Sequence, residues 1–334
     1  MTALNEEETD VEHGPTDGKT ETIGVLLMAY GGPTALDQIP AYLADVREGR
    51  TPSDELITEM THRYDAIGGH SPILELTEAQ ARGTQQELNR DSGVTFKVYV
   101  GMRHWHPYIR EVMPQIVADG VDRLVAVVMA PHYSRMSVGR YMQRVDEAIK
   151  QVGAELPVLQ VESWKDEPAF VEGVAERITD ALKRFPESER DDVFVLFTAH
   201  SLPERILQWN DPYPEELKTS VQAVVDVLHP PHWDFAFQSQ GATADPWLGP
   251  SVEETLERLK ADGVRNVLLV PIGFVCDHVE VLYDVDIEHR GQAEGLGMRL
   301  ERTASLNDDP HLCRAVADAV RRTLAHAAAK PAQA

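Results

Sequence analysis

The sequence predicts an α/β protein with two similar domains, each a parallel sheet flanked by helices, and a ligand cleft between them. Three observations predict this fold class. Short apolar runs alternate with amphipathic segments, two motifs recur in the same order, and the 334 residues suit about two domains. Because ligands of open α/β sheets bind beyond the carboxyl ends of the strands, we expect functional residues directly after the apolar runs.

The apolar runs are short and rich in valine, which is typical of buried parallel strands. They comprise Ile23–Ala29, Phe96–Val100, Leu124–Ala130, Pro157–Val161, Val193–Thr198, Phe235–Gln238 and Val267–Pro271. Helical patterns lie between them, as at Tyr108–Ala118, Phe170–Phe185, Pro214–Leu228, Val252–Ala261 and His311–Ala327. The longest apolar run, about Val267–Cys276, is far shorter than the ~20 residues that a membrane span requires, so we expect none.

An internal repeat supports two related halves. IGVLLMAYGGP (Ile23–Pro33) matches VFVLFTAHSLP (Val193–Pro203), and ADGVDRLVAVV (Ala118–Val128) matches ADGVRNVLLVP (Ala261–Pro271). The first pair is separated by 170 residues and the second by 143, so the first half carries additional residues, which we place at 41–72. The repeat therefore predicts two domains of the same topology.

The predicted domain organisation follows from this repeat and from the terminal composition. We expect a disordered acidic tail (1–22), a first domain (23–155) with an insertion at about 41–72 and the C-terminal helix 310–327, a second domain (156–309) and a frayed tail (328–334). The repeat also places Tyr30 and His200 at equivalent positions, each just after a first strand. We therefore expect both side chains to project into the cleft from opposite sides.

The net charge of −24 argues against bulk attraction for nucleic acids or anionic membrane surfaces. Residues 1–22 contribute seven acidic side chains against Lys19 alone and contain no apolar signal-peptide core. The two cysteines, Cys276 and Cys313, fit a reducing compartment and cannot supply the four thiolates of an iron–sulfur cluster. We therefore expect a cytoplasmic protein without such a cluster.

Two groups of polar side chains follow strands of the second half. A neutral imidazole at His200 could accept a proton or bind a metal, or it could simply hydrogen-bond in a turn beside a Ser201–Glu204 capping box. Glu280, Asp284 and Glu288 recur every four residues on one helical face. They could form a path for a divalent cation, or a solvated acidic face, in which Asp277 and Glu280 form a capping box at the start of the helix.

The insertion of the first half is rich in arginine for so acidic a chain. Arg47, Arg50 and Arg63 lie within it, and Tyr64 follows the last of them. Guanidinium groups recognise carboxylates and phosphates through paired hydrogen bonds, although surface ion pairs would equally explain each arginine alone. The insertion could therefore bind an anionic ligand.

Several motifs together resemble the ferrochelatase family. They are MAYGGP (Met28–Pro33), RYDAIGGHSP (Arg63–Pro72), APHYS (Ala130–Ser134), ESWKDEPAF (Glu162–Phe170), TAHSLP (Thr198–Pro203), DPYPEEL (Asp211–Leu217), QSQGATADPWLGP (Gln238–Pro250) and GFVCDHVEVLYDVDIE (Gly273–Glu288). The resemblance covers about Ile23–Ala327. It implies two Rossmann-like domains of the type II chelatase fold, with an enzyme site for a porphyrin in the cleft. It also implies that His200 and Glu280 are the catalytic, Fe²⁺-binding pair.

The resemblance extends to a subtype that uses coproporphyrin III. Tyr30 is the residue of Gram-positive and actinobacterial members at this position, where it would be axial to the product iron. By position, Arg47, Arg63, Tyr64, Ser71 and Tyr141 match residues that contact coproporphyrin, with the arginines on its propionates. Asp284 and Glu288 would carry metal or protons. Some relatives have a second arginine where this chain has Glu48, which puts one propionate contact in doubt.

The resemblance implies insertion of Fe²⁺ into coproporphyrin III in haem biosynthesis, with Fe²⁺ as a substrate and no cofactor. Some relatives carry a [2Fe–2S] cluster, which the two cysteines of this chain cannot bind. We expect a monomer that contacts another haem-pathway enzyme transiently. The alternatives are a chelatase for protoporphyrin IX or for another divalent metal, and a non-catalytic haem or porphyrin carrier.

Overall fold

The computed structural model describes residues 20–90, 92–241 and 245–329. Its strands are β1 (Thr22–Ala29), β2 (Thr95–Met102), β3 (Arg123–Val128), β4 (Val158–Val161), β5 (Phe194–His200), β6 (Trp233–Gln238), β7 (Asn266–Val270) and β8 (Arg299–Arg302). Its α-helices are α1 (Ile39–Val46), α2 (Asp54–Ala66), α3 (Ile73–Asn89), α4 (Ile109–Ala118), α5 (Val138–Val152), α6 (Pro168–Leu182), α7 (Tyr213–Leu228), α8 (Val252–Ala261), α9 (Arg290–Gly295) and α10 (Pro310–Ala329). Three 3₁₀ helices (Leu36–Gln38, Glu187–Asp192, Glu204–Trp209) and a π-helix (Glu280–His289) complete the described elements.

The strands form two parallel sheets of four strands with the same topology. The first has the order β2-β1-β3-β4 and the second β6-β5-β7-β8. β1 and β5 occupy equivalent places, as do β3 and β7, which is the correspondence that the sequence repeat predicts. The predicted fold class is therefore confirmed.

The strands at the sheet centres are apolar on both faces because helices cover both faces. In β1, Val25 and Leu27 belong to one hydrophobic cluster, whereas Leu26 and Met28 belong to another on the opposite face. All four side chains are fully buried. This packing fixes the carboxyl end of the strand, from which Tyr30 emerges.

Two capping boxes that the sequence allowed are not formed in the structure. Ser201 donates its hydroxyl to the Leu248 carbonyl, and the helix beyond it has Pro203 as its N-cap, so there is no Ser201–Glu204 capping box. Asp277 does not cap the helix of Glu280, since its carboxylate accepts hydrogen bonds from Ser305 and Asn307. That helix is also a π-helix, whose hydrogen bonds run from residue i to i+5.

Helix α10 packs against α3, α6 and strand β4. Strand β4 belongs to the first sheet, although it falls within the range 156–309 that we expected for the second domain. The domain boundaries remain our proposal. The expected acidic tail (1–22) lies outside the described residues up to residue 19, and the expected frayed end (328–334) does so from residue 330. Within the described ranges, no helix is long and apolar enough to cross a bilayer.

Candidate active site

A cavity of about 370 Å³ opens between the two sheets. Both halves contribute to its walls. The sequence-predicted residues that line it are Tyr30, Tyr64, Ser71 and Tyr141 from the first half, and His200 and Glu280 from the second. The fold therefore brings together six side chains that are up to 250 residues apart in the chain.

The loop after β1 and the insertion close one wall of this cavity. Ser71 donates its backbone N–H to the Pro33 carbonyl at 2.8 Å, which folds the end of the insertion onto that loop. A Cβ atom on Gly32 would lie 2.7 Å from the Ser71 side chain, so only glycine allows this approach. As a result the buried Ser71 hydroxyl lies on the cavity wall beside Tyr64.

His200 ends β5 and is held from two sides. Its Nδ1 contacts the Ser201 carbonyl, and its own carbonyl accepts a 2.9 Å hydrogen bond from the Tyr213 hydroxyl. Because a carbonyl can only accept, Nδ1 carries a proton, and Nε2 has a lone pair whenever the ring is neutral. That lone pair is available on the cavity wall to a proton or to a metal ion.

Glu280 begins the π-helix, and its carboxylate lies between two imidazoles. Its Oε2 is 3.7 Å from His200 Nε2 and 3.9 Å from His278 Nε2, and it has no hydrogen-bond partner. Burial would raise the pKa of Glu280, but the charges of His200, His278 and Arg63 outweigh burial and lower it. The same pairing raises the pKa of His278 against the effect of burial. Glu280 is therefore an anion with a third of its side chain exposed.

The tyrosines of the cavity are neutral donors. Burial raises the pKa of Tyr30 to about 12, and it raises the pKa values of Tyr64 and Tyr141 further above their usual value. Their hydroxyls can donate to carboxylates of a ligand or pack beneath an aromatic ring. The first half of the cavity therefore offers aromatic surface and hydroxyl donors, whereas the second half offers an imidazole and a carboxylate.

Four of the predicted site residues lie outside the cavity lining. Arg47 ends α1, and its Nε is buried without a hydrogen-bond partner. Arg63 bridges α2 to the π-helix, with Nη1 at 3.0 Å from Asp284 and Nη2 at 3.4 Å from Glu288. Burial raises the pKa of Asp284 to about 6. These three side chains form one ion-paired group beyond Glu280.

Arg103, His132 and His278 line the cavity but were not in the predicted site. Arg103 places its guanidinium 6.0 Å from the ring centre of Tyr30 and 5.4 Å from that of Tyr141, and its Nε has no partner. His132 is buried with Nε2 unpartnered, and His278 faces Glu280. Arg103 directly follows β2 and His132 closely follows β3. The rule that functional residues follow strands, applied to these two strands, would have found both.

Within residues 20–90, 92–241 and 245–329, no group of three or more His, Cys, Asp or Glu side chains is placed to bind a metal ion. Both cysteines are buried and free. Burial raises the pKa of Cys276, which lines the cavity, to about 12 and keeps its thiol protonated. The expected absence of an iron–sulfur cluster stays a prediction from the cysteine count.

The fold is that of a chelatase. Over 93% of this chain and 98% of the other, it is similar to the structure of SirB from Bacillus subtilis with Fe³⁺, with a TM-score of 0.57 and 13% sequence identity. A cobalt complex of the sirohydrochlorin chelatase SirB from Bacillus subtilis subspecies spizizenii gives a TM-score of 0.52 at 10% identity, covering 90% of this chain and 95% of that one.

The sequence comparisons define the family more closely. The ferrochelatase family model matches residues 22–324. A ferrochelatase of Herpetosiphon aurantiacus is 46% identical over 86% of this chain and 94% of its own. The coproporphyrin III ferrochelatase of Bacillus subtilis is 38% identical over 90% of this chain and 98% of its own. The chain belongs to the ferrochelatase family, whose members insert metal into a porphyrin in haem biosynthesis.

Proposed function

We propose that the protein inserts Fe²⁺ into coproporphyrin III, giving Fe-coproporphyrin III and two protons. The observation that carries this proposal is the placement of His200 Nε2 and Glu280 Oε2, 3.7 Å apart, in one cavity with Tyr30 of the opposite half. A macrocycle in that cavity has a proton acceptor and a metal ligand on one face and a phenol on the other.

The reaction must remove two pyrrole protons and replace the water ligands of the iron. The lone pair on His200 Nε2 can accept a pyrrole proton, and the anionic Glu280 can bind Fe²⁺ through its unpartnered Oε2. A planar macrocycle hides its nitrogen lone pairs, so contacts with the cavity walls would bend it. His278 beside Glu280 is a further group that can carry a proton away.

The choice of coproporphyrin III rests on its four carboxylates. Ser71, Tyr64 and Tyr141 offer hydroxyls, and the buried, unpartnered Nε atoms of Arg47 and Arg103 are donors without acceptors. A substrate with four propionates would satisfy more of these donors than protoporphyrin IX, which has two. Tyr30 would lie axial to the product iron. The Bacillus subtilis relative, named for coproporphyrin III, supports the same choice.

The partner and compartment follow from the same proposal. The product retains its carboxylates and needs further processing, so a transient contact with another enzyme of haem synthesis is expected. We propose a cytoplasmic monomer that takes both substrates from solution. No resident cofactor is part of the mechanism, since Fe²⁺ is consumed as a substrate.

To test this proposal, the protein is mixed anaerobically with Fe²⁺ and coproporphyrin III, and metal insertion is measured from the change in porphyrin absorbance. Parallel reactions use protoporphyrin IX, Co²⁺ and Ni²⁺. We expect faster insertion into coproporphyrin III than into protoporphyrin IX, with Fe²⁺ as a competent metal. Faster reaction with protoporphyrin IX would overturn the substrate assignment. Tight porphyrin binding without insertion of any metal would instead establish a carrier.

A further inference from the structure

The guanidinium of Arg63 is held by carboxylates of two helices. Nη1 lies 3.0 Å from Asp284, and Nη2 lies 3.4 Å from Glu288 and 3.1 Å from Glu59. The group also stacks 5.0 Å from the ring centre of Tyr283. Its side chain is only a quarter exposed. Arg63 therefore ties α2 of the insertion to the π-helix that carries Glu280.

This pairing leaves Arg63 with both terminal nitrogens occupied. A ligand carboxylate binds a guanidinium best through two parallel N–H donors. Such a contact through Nη1 and Nη2 would compete with Asp284, Glu288 and Glu59 for these two nitrogens. The sequence predicts that Arg63 binds a propionate. That role requires the same two nitrogens that contact carboxylates of the protein in this structure.

The carboxylates that Arg63 holds lie on the face of Glu280. Asp284 Oδ2 accepts a 2.6 Å hydrogen bond from Ser239, and its other oxygen accepts from Arg63. The charge of Arg63 also lowers the pKa of Glu280, so this cation acts on three carboxylates of the π-helix, Glu280, Asp284 and Glu288, which we call the acidic column. A cation in this position opposes the approach of a second, metallic cation by simple repulsion.

We propose that Arg63 is a counterion shared between the porphyrin and this acidic column, so that porphyrin binding prepares the column for a divalent metal. This inference rests on the proposed function. A propionate that draws Arg63 away leaves Asp284 and Glu288 without their cation. The column then gains affinity for the metal only when a macrocycle is present to receive it.

Coupling of this kind is reciprocal. If a bound porphyrin raises the affinity for metal, a bound metal must raise the affinity for porphyrin by the same factor. Such factors are typically about 5–150-fold. Removal of Arg63 should abolish the coupling and leave the column in its high-affinity state.

The test measures Mn²⁺ affinity by electron paramagnetic resonance, with and without zinc coproporphyrin III. This porphyrin is diamagnetic and its centre is already filled, so binding is separated from insertion. We expect at least fivefold tighter Mn²⁺ binding in its presence, within the usual range of such coupling. Its tetramethyl ester, whose binding is followed by absorbance, lacks the carboxylates and should produce no change.

Two variants complete the experiment. Arg63→Gln should bind Mn²⁺ tightly without porphyrin and show no response to it. Arg314→Gln removes a matched arginine of α10, 2.8 Å from Glu172 and remote from the cavity, and should respond as the wild type does. Asp284→Asn should lose the porphyrin-dependent gain in Mn²⁺ affinity.

The outcomes separate the two proposals. Equal Mn²⁺ affinity with and without zinc coproporphyrin in a protein that inserts Fe²⁺ would overturn the coupling and leave the function standing. An equal gain in Mn²⁺ affinity with the tetramethyl ester would also overturn the coupling. That result requires only the wild-type protein. Absence of Fe²⁺ insertion into every porphyrin would overturn the function itself.

Discussion

Oε2 of Glu280 lies 3.7 Å from Nε2 of His200, too far for a hydrogen bond, and has no hydrogen-bond partner elsewhere among the described residues. An unpartnered carboxylate oxygen in a buried site is costly unless a ligand completes it. The gap between the two groups is suited to a small cation or a proton in transfer. His200 ends strand β5 of the second sheet, and Glu280 begins the π-helix.

Replacement of Glu280 by glutamine should reduce kcat by roughly 10²–10³-fold, a loss of the size seen when one electrostatic contact to a reacting centre is removed, because a neutral amide binds Fe²⁺ more weakly than a carboxylate does. Porphyrin binding should persist, because the change is nearly isosteric. Metal-insertion kinetics and porphyrin fluorescence measure the two effects. Glu253→Gln is the matched control, since Glu253 lies 3.6 Å from His289 outside the cavity. Equal losses in both variants would contradict the role of Glu280.

The pairing also predicts a spectroscopic effect. The Glu280 carboxylate raises the pKa of His278, so Glu280→Gln should lower the pKa of His278. Titration of the His278 ring by nuclear magnetic resonance would measure it. An unchanged titration would show that the two side chains do not interact in solution.

Substitution of Ser71 by alanine should raise KM for coproporphyrin III about tenfold and leave kcat unchanged. The hydroxyl is buried on the cavity wall, and a hydrogen bond to a charged group contributes about 1.5–3 kcal/mol. A contact made equally in the ground state and the transition state changes KM alone. The tetramethyl ester provides the control, because its KM should not respond. A fall in kcat with unchanged KM would contradict the assignment.

Arg302 should be needed for stability. It is 11% exposed, makes two 2.9 Å hydrogen bonds to Asp286 of the π-helix and lies 3.4 Å from Asp277. Breaking a buried ion pair costs about 3–5 kcal/mol, so Arg302→Met should lower the free energy of unfolding by that amount. Arg314→Met breaks an exposed pair and should cost less than about 1 kcal/mol. Urea unfolding measures both, and equal losses would refute the prediction.

His132 should make the folded state sensitive to acid. Burial, assisted by the charge of Lys165, lowers the pKa of His132 to about 3. The unfolded chain binds a proton below about pH 6.5 whereas the folded chain does not, so stability falls as pH drops from about 6.5 towards 3. Between pH 6 and 5 the wild type should lose about 1 kcal/mol more than His132→Gln. Urea unfolding at the two pH values measures this difference. If the wild type and His132→Gln lose the same free energy of unfolding between pH 6 and pH 5, the prediction is wrong.

The fold could be predicted from sequence because its central strands are buried on both faces. The continuous apolar runs at β1 and β5 have the length of buried strands and were predicted as strands. Strand β8 was missed because its four residues include Arg299, Glu301 and Arg302, which gives an edge strand no apolar signal. The π-helix was missed because a four-residue spacing of carboxylates keeps them on nearly one face in either helix type.

The site was predictable where strand ends and motifs coincide, as at Tyr30 and His200. The contacts of Arg63 were not, since Asp284 lies 221 residues away and no local pattern pairs them. Arg103 was overlooked because no motif surrounds it, although it directly follows strand β2. Pairings that depend on how the two halves face each other come only from the structure.

The most direct test of the account is His200→Ala, assayed for porphyrin binding and for metal insertion in the same preparation. Removal of the Nε2 lone pair should abolish turnover with Fe²⁺ and coproporphyrin III almost completely, while fluorescence titration shows the porphyrin still bound. Insertion at a rate near that of the wild type would contradict the assignment of His200 and, with it, the mechanism proposed for this cavity.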